Sequence, residues 1–368
     1  MKKIIHIHTD HKFVVGSERF YGDIFTNELI ILGAKNSVNK HFHEKAQFFK
    51  PDPKNLNNIL ALVNAADILV VYQLDFFKSP IVNKVAKGVK IIWRFFGTEL
   101  YSRKLHLYLS PNTRSFFKSQ ILKKHVKRVF PFLFREEKTF YKALRRVDAI
   151  ACVFKEEYDY LKRHFNNLPR FIPLSLDGMH YANLIDFDLE YPKSNTLVIG
   201  NSRSYFNNHL DILELAEMCD LDDKLKIKLL FNYGTENTYT KEVRKKASSI
   251  ENVSLIDSFI PPDEFINFYG PIAAFVNNSY RQLALGNIFL ALYKGVKVYL
   301  NAKNPTYTWL KKEGLFIYEI EDLKKDLETG QIHLSKDEII HNLKCFSRLK
   351  ELYSKKDFQH CILELVYK

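Results

Sequence analysis

NNSYRQLALGNIFLALYKGVKVYLN, residues 277–301, decides how the rest of the chain is read. Its spacing predicts a loop, a helix, a tight turn and a buried strand. Leu285, Ile288 and Leu292 fall on one helical face, and Gly286 and Asn287 stand at or just before the first turn. Gly295 then ends the helix, as a residue tolerating positive φ does. Val296, Val298 and Leu300 alternate as a short strand. A small residue at a helix start leaves backbone N–H groups open to a ligand, and the helix dipole favours an anion there. Arg281, between Tyr280 and Gln282, adds a cation suited to phosphate. Taken alone, an ordinary strand–loop–helix–strand unit with a surface arginine accounts for this stretch.

Residues 196–215, TLVIGNSRSYFNNHLDILEL, repeat the pattern. A strand runs into Gly200, Asn201, Ser202 and Arg203. An amphipathic helix follows, with Asn207 or Asn208 as N-cap and Leu210 and Leu213 on its buried face. Two such turns, each with a glycine, a short polar side chain and an arginine, outline a site for one diphosphate. Tyr233 and Gly234 end a further strand in a turn that either stacks a nucleobase or simply closes the strand.

GNS (200–202) followed by NNH (207–209), then YRQLALGN (280–287) ending in KGVKVYLN (294–301) and NP (304–305), resembles a known enzyme family. It is that of the TDP-4-acetamido-4,6-dideoxygalactose transferases, which complete the lipid-linked repeat of enterobacterial common antigen. IIWRFFGTELY (91–101) is similar to that family's Trp…Gly…(Asp/Glu)-Leu-Tyr stretch, while Arg203 and Ser204 stand where the family often carries Gly-Asp. The resemblance implies an α/β chain of GT-B fold: two Rossmann-like domains with parallel sheets facing an interdomain cleft. It implies transfer of an amino-dideoxy hexose from a nucleotide diphosphate sugar, TDP-linked, to a lipid-linked saccharide in surface polysaccharide assembly. Donor contacts then fall to Gly200, Asn201, Ser202, Arg203, Asn207, His209, Tyr233, Gly234, Tyr280, Arg281, Gln282, Gly286, Asn287 and Asn301.

Bulk properties agree with such a chain. Its 368 residues exceed one core of ordinary size and fit two domains. The expected N-terminal, acceptor-binding domain is 1–176, the linker 177–194 and the nucleotide-sugar domain 195–350. The last helix, 351–368, is expected to pack back on the first domain, as final helices do in GT-B enzymes. A hydrophobic content of 46% with 26% charged residues is globular. Lys and Arg total 55 against 42 acids, and a net charge of +13 favours polyanionic partners. The four cysteines form no CxxC pair and no metal-ligand spacing, which suits a reducing compartment. No signal peptide is expected from MKKIIHIHTDHK, nor any apolar run of the ~20 residues that span a bilayer. A cytoplasmic protein, peripheral on the inner face of the cell membrane, is expected.

In the N-terminal half, 3–7 reads as a strand with His8 and Asp10 at its carboxyl end, where open α/β sheets bind ligands. His6 and His8 share a strand face, yet no third ligand accompanies them, so two hydrogen-bonded histidines is the reading. Residues 20–32 read as a helix, 57–64 as another, and 67–72 and 90–93 as buried strands. This alternation argues a parallel, Rossmann-like sheet. Glu99, Asp10 and His8 are the candidates for the base that deprotonates the acceptor, with Glu99 first because it lies in the family-like loop. Arg203, Arg281 and the helix N-termini would balance the leaving group. No cofactor or metal is expected, since the donor loops carry no DxD-type acidic pair. The paired glutamates of retaining GT-B enzymes are absent before Gly286, a pattern that favours inversion.

Residues 101–146 stand apart. Thirteen lysines and arginines meet two glutamates there, leaving +11, and Phe116, Phe117, Ile121, Leu122, Val126, Val129 and Phe130 are interleaved. This mixture describes an interfacial segment on an anionic membrane, touching it through Lys123, Lys124, Lys127, Arg128 and Phe130. A basic helix face whose aromatics fill the core is the alternative. Single-stranded nucleic acid is not expected, because no nucleic-acid-binding signature accompanies the charge. Two rival functions remain open: a nucleotide-sugar epimerase of GT-B form, and a non-catalytic membrane- or polyanion-binding protein.

Overall fold

The computed structural model describes residues 1–9, 21–33, 46–130, 134–176, 194–219, 221 and 223–367. The chain forms two units, each on its own sheet. The first comprises Met1–Arg103, Lys123–His180 and Leu352–Lys368; the second comprises Lys104–Leu122 and Tyr181–Glu351. Most of the expected linker, 177–193, lies outside the described residues.

The first sheet is made of β1 (Lys2–His8), β2 (Phe25–Leu32), β3 (Ala46–Phe49), β4 (Ile68–Tyr72), β5 (Lys90–Arg94), β6 (Ala149–Cys152) and β7 (Arg170–Pro173). Their order is β3-β2-β1-β4-β5-β6-β7, and every pairing is parallel. The second sheet holds β8 (Thr196–Ile199), β9 (Lys226–Leu230), β10 (Val253–Ile256), β11 (Ala274–Asn277), β12 (Lys297–Leu300) and β13 (Tyr318–Glu319), in the order β10-β9-β8-β11-β12-β13, again all parallel. Strands β4, β6, β8, β11 and β12 are buried at every position, as strands covered on both faces must be.

The helices up to the second sheet are α1 (Leu56–Val63), α2 (Ser79–Val82), α3 (Thr98–Tyr101), α4 (Pro111–Ser115), α5 (Lys118–Val129), α6 (Arg135–Leu144) and α7 (Lys155–His164). After β8 come α8 (His209–Met218), α9 (Thr238–Ser248), α10 (Pro262–Tyr269), α11 (Leu285–Tyr293), α12 (Pro305–Lys312), α13 (Ile320–Thr329), α14 (Lys336–Leu352) and α15 (Lys355–Tyr367). Gly295, at φ +66°, ends α11, and a Cβ there would sit 3.0 Å from Ile339.

Two sequence expectations change. Residues 25–32 are strand β2, not the end of a helix. Phe25, Leu29 and Leu32 fit a helical period, but Leu29 to Leu32 is an unbroken apolar run buried between β1 and β3, and period alone does not separate the two. The stretch 101–146 is also divided, because Lys104–Leu122 belongs to the second unit. There the Ser110 amide donates to Asn208 Oδ1 (2.9 Å), its hydroxyl bonds Asp211, and Asn112 donates to Glu214 (2.6 Å). Phe117 packs on Tyr205 (4.4 Å) and Tyr239 (6.1 Å). Helix α15 lies in the first unit, where Arg170 pairs with Glu364 (3.0 Å) and Gln359 donates to the Tyr21 carbonyl (2.8 Å).

Each sheet reverses its strand order beside its first strand: β1 lies between β2 and β4, and β8 between β9 and β11. The carboxyl ends at such a switch point are where open α/β sheets take ligands.

Candidate functional site

The two loops singled out in the sequence sit side by side at the switch point of the second sheet. Strand β8 runs into Gly200, whose N–H donates to the carbonyl of Val276 in β11 (2.9 Å). Gly200 has φ +69°, and a Cβ there would lie 2.8 Å from His209 Nε2. Only glycine meets both demands. His209 is fully buried. The Tyr239 hydroxyl accepts from the His209 amide (2.9 Å) and lies 3.2 Å from Nδ1. Burial pulls the imidazole pKa down to about 3. His209 is therefore a neutral prop under the loop rather than a cation for phosphate. Asn207 has a similar part, since its amide donates to the Ser202 (3.1 Å) and Ser204 (3.2 Å) carbonyls.

Asn208 is the N-cap of α8, at φ +50°, but its side chain makes no capping bond. It accepts from the Ser110 amide and donates to the carbonyls of Tyr108 (3.3 Å) and Asn278 (3.0 Å). One asparagine thus ties the β8 turn to the β11 loop and to the inserted 104–122 segment.

In the β11 loop, Arg281 is only 4% exposed, so it is not a surface residue. Its guanidinium lies over the Phe206 ring (4.4 Å) and donates to the Gln282 carbonyl (2.8 Å). A planar cation held by an aromatic face is aimed, not loose. Ala284, with φ +59°, starts α11 in a conformation that costs a non-glycine residue energy. Gly286 and Asn287 follow in the first turn, half-buried, and the Asn287 amide donates to the Tyr269 hydroxyl (3.1 Å). Asn301 donates to Asn278 Oδ1 (2.8 Å). Beyond it Lys303, exposed, places its ammonium 4.4 Å from the Tyr280 ring centroid. The sequence reading missed Lys303; its position two residues after the family-like Asn301 was the available signal.

Arg203 has partners that the sequence did not reveal. Its amide donates to the Tyr233 carbonyl (2.8 Å) and its guanidinium to the Gly234 carbonyl (3.2 Å). It also pairs with Glu236 (3.2 Å) and Asp257 (3.3 Å). Arg244 shares both carboxylates (2.8 and 2.7 Å) and, as their main hydrogen-bond donor, holds their pKa values below the usual range. The charge on Arg203 is thus already matched, and the residue stitches the β8 loop to the 233–234 turn. Tyr233 stands 42% exposed in that turn, its hydroxyl taking a bond from Asn201 Nδ2 (2.7 Å), while the Ser202 hydroxyl donates to Asn201 Oδ1 (3.3 Å).

At the switch point of the first sheet, His8 is buried and stacks on Tyr72 (3.8 Å, 25°). His6 has both ring nitrogens engaged: Nε2 on Asn27 Oδ1 (2.9 Å) and Nδ1 on the Tyr72 hydroxyl (3.3 Å). Burial lowers its pKa to about 4, so it is a neutral structural histidine. Asp10 lies outside the described residues. Glu99, in α3, is 5% exposed. Its Oε1 accepts from Trp93 Nε1 (3.0 Å) and from the Phe96 amide (3.1 Å), and burial raises its pKa. Nearby, the fully buried ammonium of Lys78 bonds Thr9 (2.7 Å), the Gln73 carbonyl (2.8 Å) and Asp75. Sequence reading gave no sign of that cluster, since Lys78 follows two phenylalanines in an otherwise polar loop.

The expected membrane residues fall on and just after α5. Lys123 and Phe130 are exposed, whereas Lys124 and Lys127 are half-buried, and the Arg128 side chain lies outside the described residues. Among the described residues no group of three His, Cys, Asp or Glu is placed to hold a metal ion. No described helix is long and apolar enough to cross a membrane.

No family model and no curated protein matches the chain. Solved structures do match it along its length. Anabaena Alr3699/HepE, solved with UDP and glucose, is 10% identical with a TM-score of 0.65, each chain covered over 100%. A glycosyltransferase from Rickettsia africae ESF-5 is 13% identical with a TM-score of 0.63, over 99% of this chain and 97% of that one. The lipopolysaccharide outer core galactosyltransferase WaaB, in its apo form, is 10% identical with a TM-score of 0.61, over 99% of each. At such low identity these likenesses speak to architecture, and with two parallel-sheet α/β units in one chain they establish the GT-B fold.

Proposed function

We propose that this protein is a glycosyltransferase that moves a hexose from a nucleoside diphosphate sugar to a saccharide acceptor. The observation that carries the proposal is the β11 loop. Arg281 is clamped on Phe206, Lys303 stands beside Tyr280, and the first turn of α11 begins next to them, all at a switch point. Cations of this kind with helix-start N–H groups suit a diphosphate leaving group. The loops at 200–203 and 233–234 would hold the rest of the donor, with Arg203 shaping them. HepE, of the same fold, binds UDP and glucose. The resemblance to the TDP-4-acetamido-4,6-dideoxygalactose transferases supports a TDP-linked amino-dideoxy sugar and a lipid-linked acceptor, met at the inner face of the membrane by a peripheral enzyme.

In the proposed reaction the acceptor hydroxyl attacks the anomeric carbon with inversion, its proton passes to Glu99, and the bond to the diphosphate oxygen breaks. A pKa raised by burial brings a carboxylate closer to the basicity this step needs. Arg281, Lys303 and the start of α11 balance the departing charge, without a metal. Thermal shift against a panel of nucleotide sugars tests the donor, because a ligand bound only by the native state raises the melting temperature. The largest shift is expected from a TDP-linked amino-dideoxy hexose, followed by release of TDP when acceptor is added, with EDTA without effect. No shift from any nucleotide sugar would refute transfer. A released epimer of the sugar with no acceptor glycosylated would make the protein an epimerase.

A further inference from the structure

Helix α5 carries its apolar stripe on the wrong side for a helix that serves only the core. Its covered edge is Phe117, just before it, with Ile121 and Lys124. Leu122, Val126 and Val129, at i, i+4 and i+7, point roughly 140° away at ~100° per residue. They are 64%, 39% and 48% exposed, and Phe130, one residue beyond the helix, is 45% exposed. An amphipathic helix of a soluble domain turns such a stripe inward. Here the inward edge holds a lysine instead: Lys124 has a pKa lowered first by burial and then by Arg103.

The flanks of the stripe are cationic. Lys118 lies on one side and Lys123 and Lys127 on the other. Lys127 alone of these three has a described carboxylate near it, Glu136 at 3.4 Å. Bulky apolar side chains flanked by lysines match a surface that is apolar beneath and anionic at its rim. A second copy of the chain would set lysines against lysines, so self-association is disfavoured.

We infer that the solvent-facing side of α5, Leu122, Val126, Val129 and Phe130 between Lys118, Lys123 and Lys127, docks the protein onto an anionic lipid leaflet. It gives the peripheral location in the proposed function a defined surface, and rests on that reading only for its purpose. Lys124 takes no part. Docking is reversible: the apolar part is insensitive to salt, whereas each exposed lysine adds an attraction that salt screens.

The test is sedimentation of the whole chain with phosphatidylglycerol-containing vesicles and with pure phosphatidylcholine vesicles. Binding is expected only with the anionic lipid, weakening as salt rises. Leu122→Glu with Val126→Glu should abolish it. Lys123→Gln and Lys118→Gln should each weaken it about fivefold, and Lys124→Gln should not. All these residues except Lys124 are exposed, so the melting temperature and nucleotide-sugar binding should stay unchanged. Equal binding to both vesicles, or to neither, overturns the inference. So does concentration-dependent dimerisation that Leu122→Glu abolishes, which would make the stripe an interface between copies. Capture of vesicles by a protein that turns over no nucleotide sugar would defeat the transfer reading alone. Transfer to a soluble acceptor by a protein that ignores vesicles would defeat the docking surface alone.

Discussion

Gly200→Ala separates two costs that the structure places at one atom. The first is backbone: φ is +69°, and an alanine held in the left-handed region loses about 1–2 kcal/mol. The second is steric. The new methyl carbon would lie 2.8 Å from His209 Nε2 and 3.3 Å from Asn207 Cγ. His209 cannot swing aside cheaply, since its amide and Nδ1 are both held by the Tyr239 hydroxyl. Overpacking of this kind costs another ~1–3 kcal/mol. The single substitution should therefore destabilise the second unit by about 3 kcal/mol. In a His209→Ala background the clash with the ring is gone, while the backbone part and the 3.3 Å contact with Asn207 remain, so the cycle should show a coupling of up to ~1–3 kcal/mol.

The molecule supplies its own probe. There are two tryptophans, Trp93 in the first unit and Trp309 in the second, both fully buried. In a Trp93→Phe chain, urea unfolding followed by fluorescence reports the second unit alone. Additive effects of Gly200→Ala and His209→Ala would refute the idea that the histidine props the loop. So would a Gly200→Ala chain as stable as the parent.

Arg281→Ala should weaken nucleoside diphosphate binding about tenfold to a hundredfold by calorimetry, from loss of a charge-assisted contact. Arg281→Lys should fall between, because it keeps the charge but not the planar stack on Phe206; unchanged affinity in a folded Ala variant would make the residue structural. Glu99→Gln preserves an acceptor for Trp93 and Phe96, so the fold and donor affinity should survive while kcat drops about a hundredfold or more; an undiminished kcat would leave Glu99 as a support for its loop. His6 and His209 have folded pKa values of about 4 and 3, below the ~6.5 of an unfolded chain. The unfolded state therefore binds protons first as pH falls, and stability present above ~6.5 should be lost below it, at up to ~1.4 kcal/mol per pH unit for each histidine. Replacing His209 by Gln should flatten that slope in the Trp309 signal, and an unaltered slope would show the ring to be charged already.

Elements whose apolar residues run unbroken between turn signals were legible in the sequence. Ile68–Tyr72 and Lys297–Leu300 fall inside the expected strands. The same rule fails for Phe25–Leu32, where residue spacing fits both periods and only the neighbouring strands decide. The candidate loops were placed correctly along the chain, because a glycine, a short polar residue and an arginine after a strand are local features. The state of each arginine was not. Arg203 is matched by Glu236 and Asp257, and Arg281 is held by Phe206. Those partners are distant in sequence and carry no local mark. Polar pairs likewise assign 104–122 to the second unit, through Asn208, Asp211 and Glu214.

The route of the chain has a consequence for synthesis. The first unit is assembled from three separate pieces, and its α15 is translated only after the whole of the second unit. Until then the ribosome-bound chain shows an unfinished face. Tyr21 lacks Phe358 against its ring (5.3 Å), Arg170 lacks Glu364, and the Leu176 amide lacks the Tyr353 carbonyl (2.9 Å). Domains commonly fold in the order in which they emerge. Here the second unit is complete first, although most of the first unit is made earlier. A gene cut between the halves would yield a first unit lacking its closing helix and a second lacking its inserted segment 104–122, so neither half is a sound fragment to express alone.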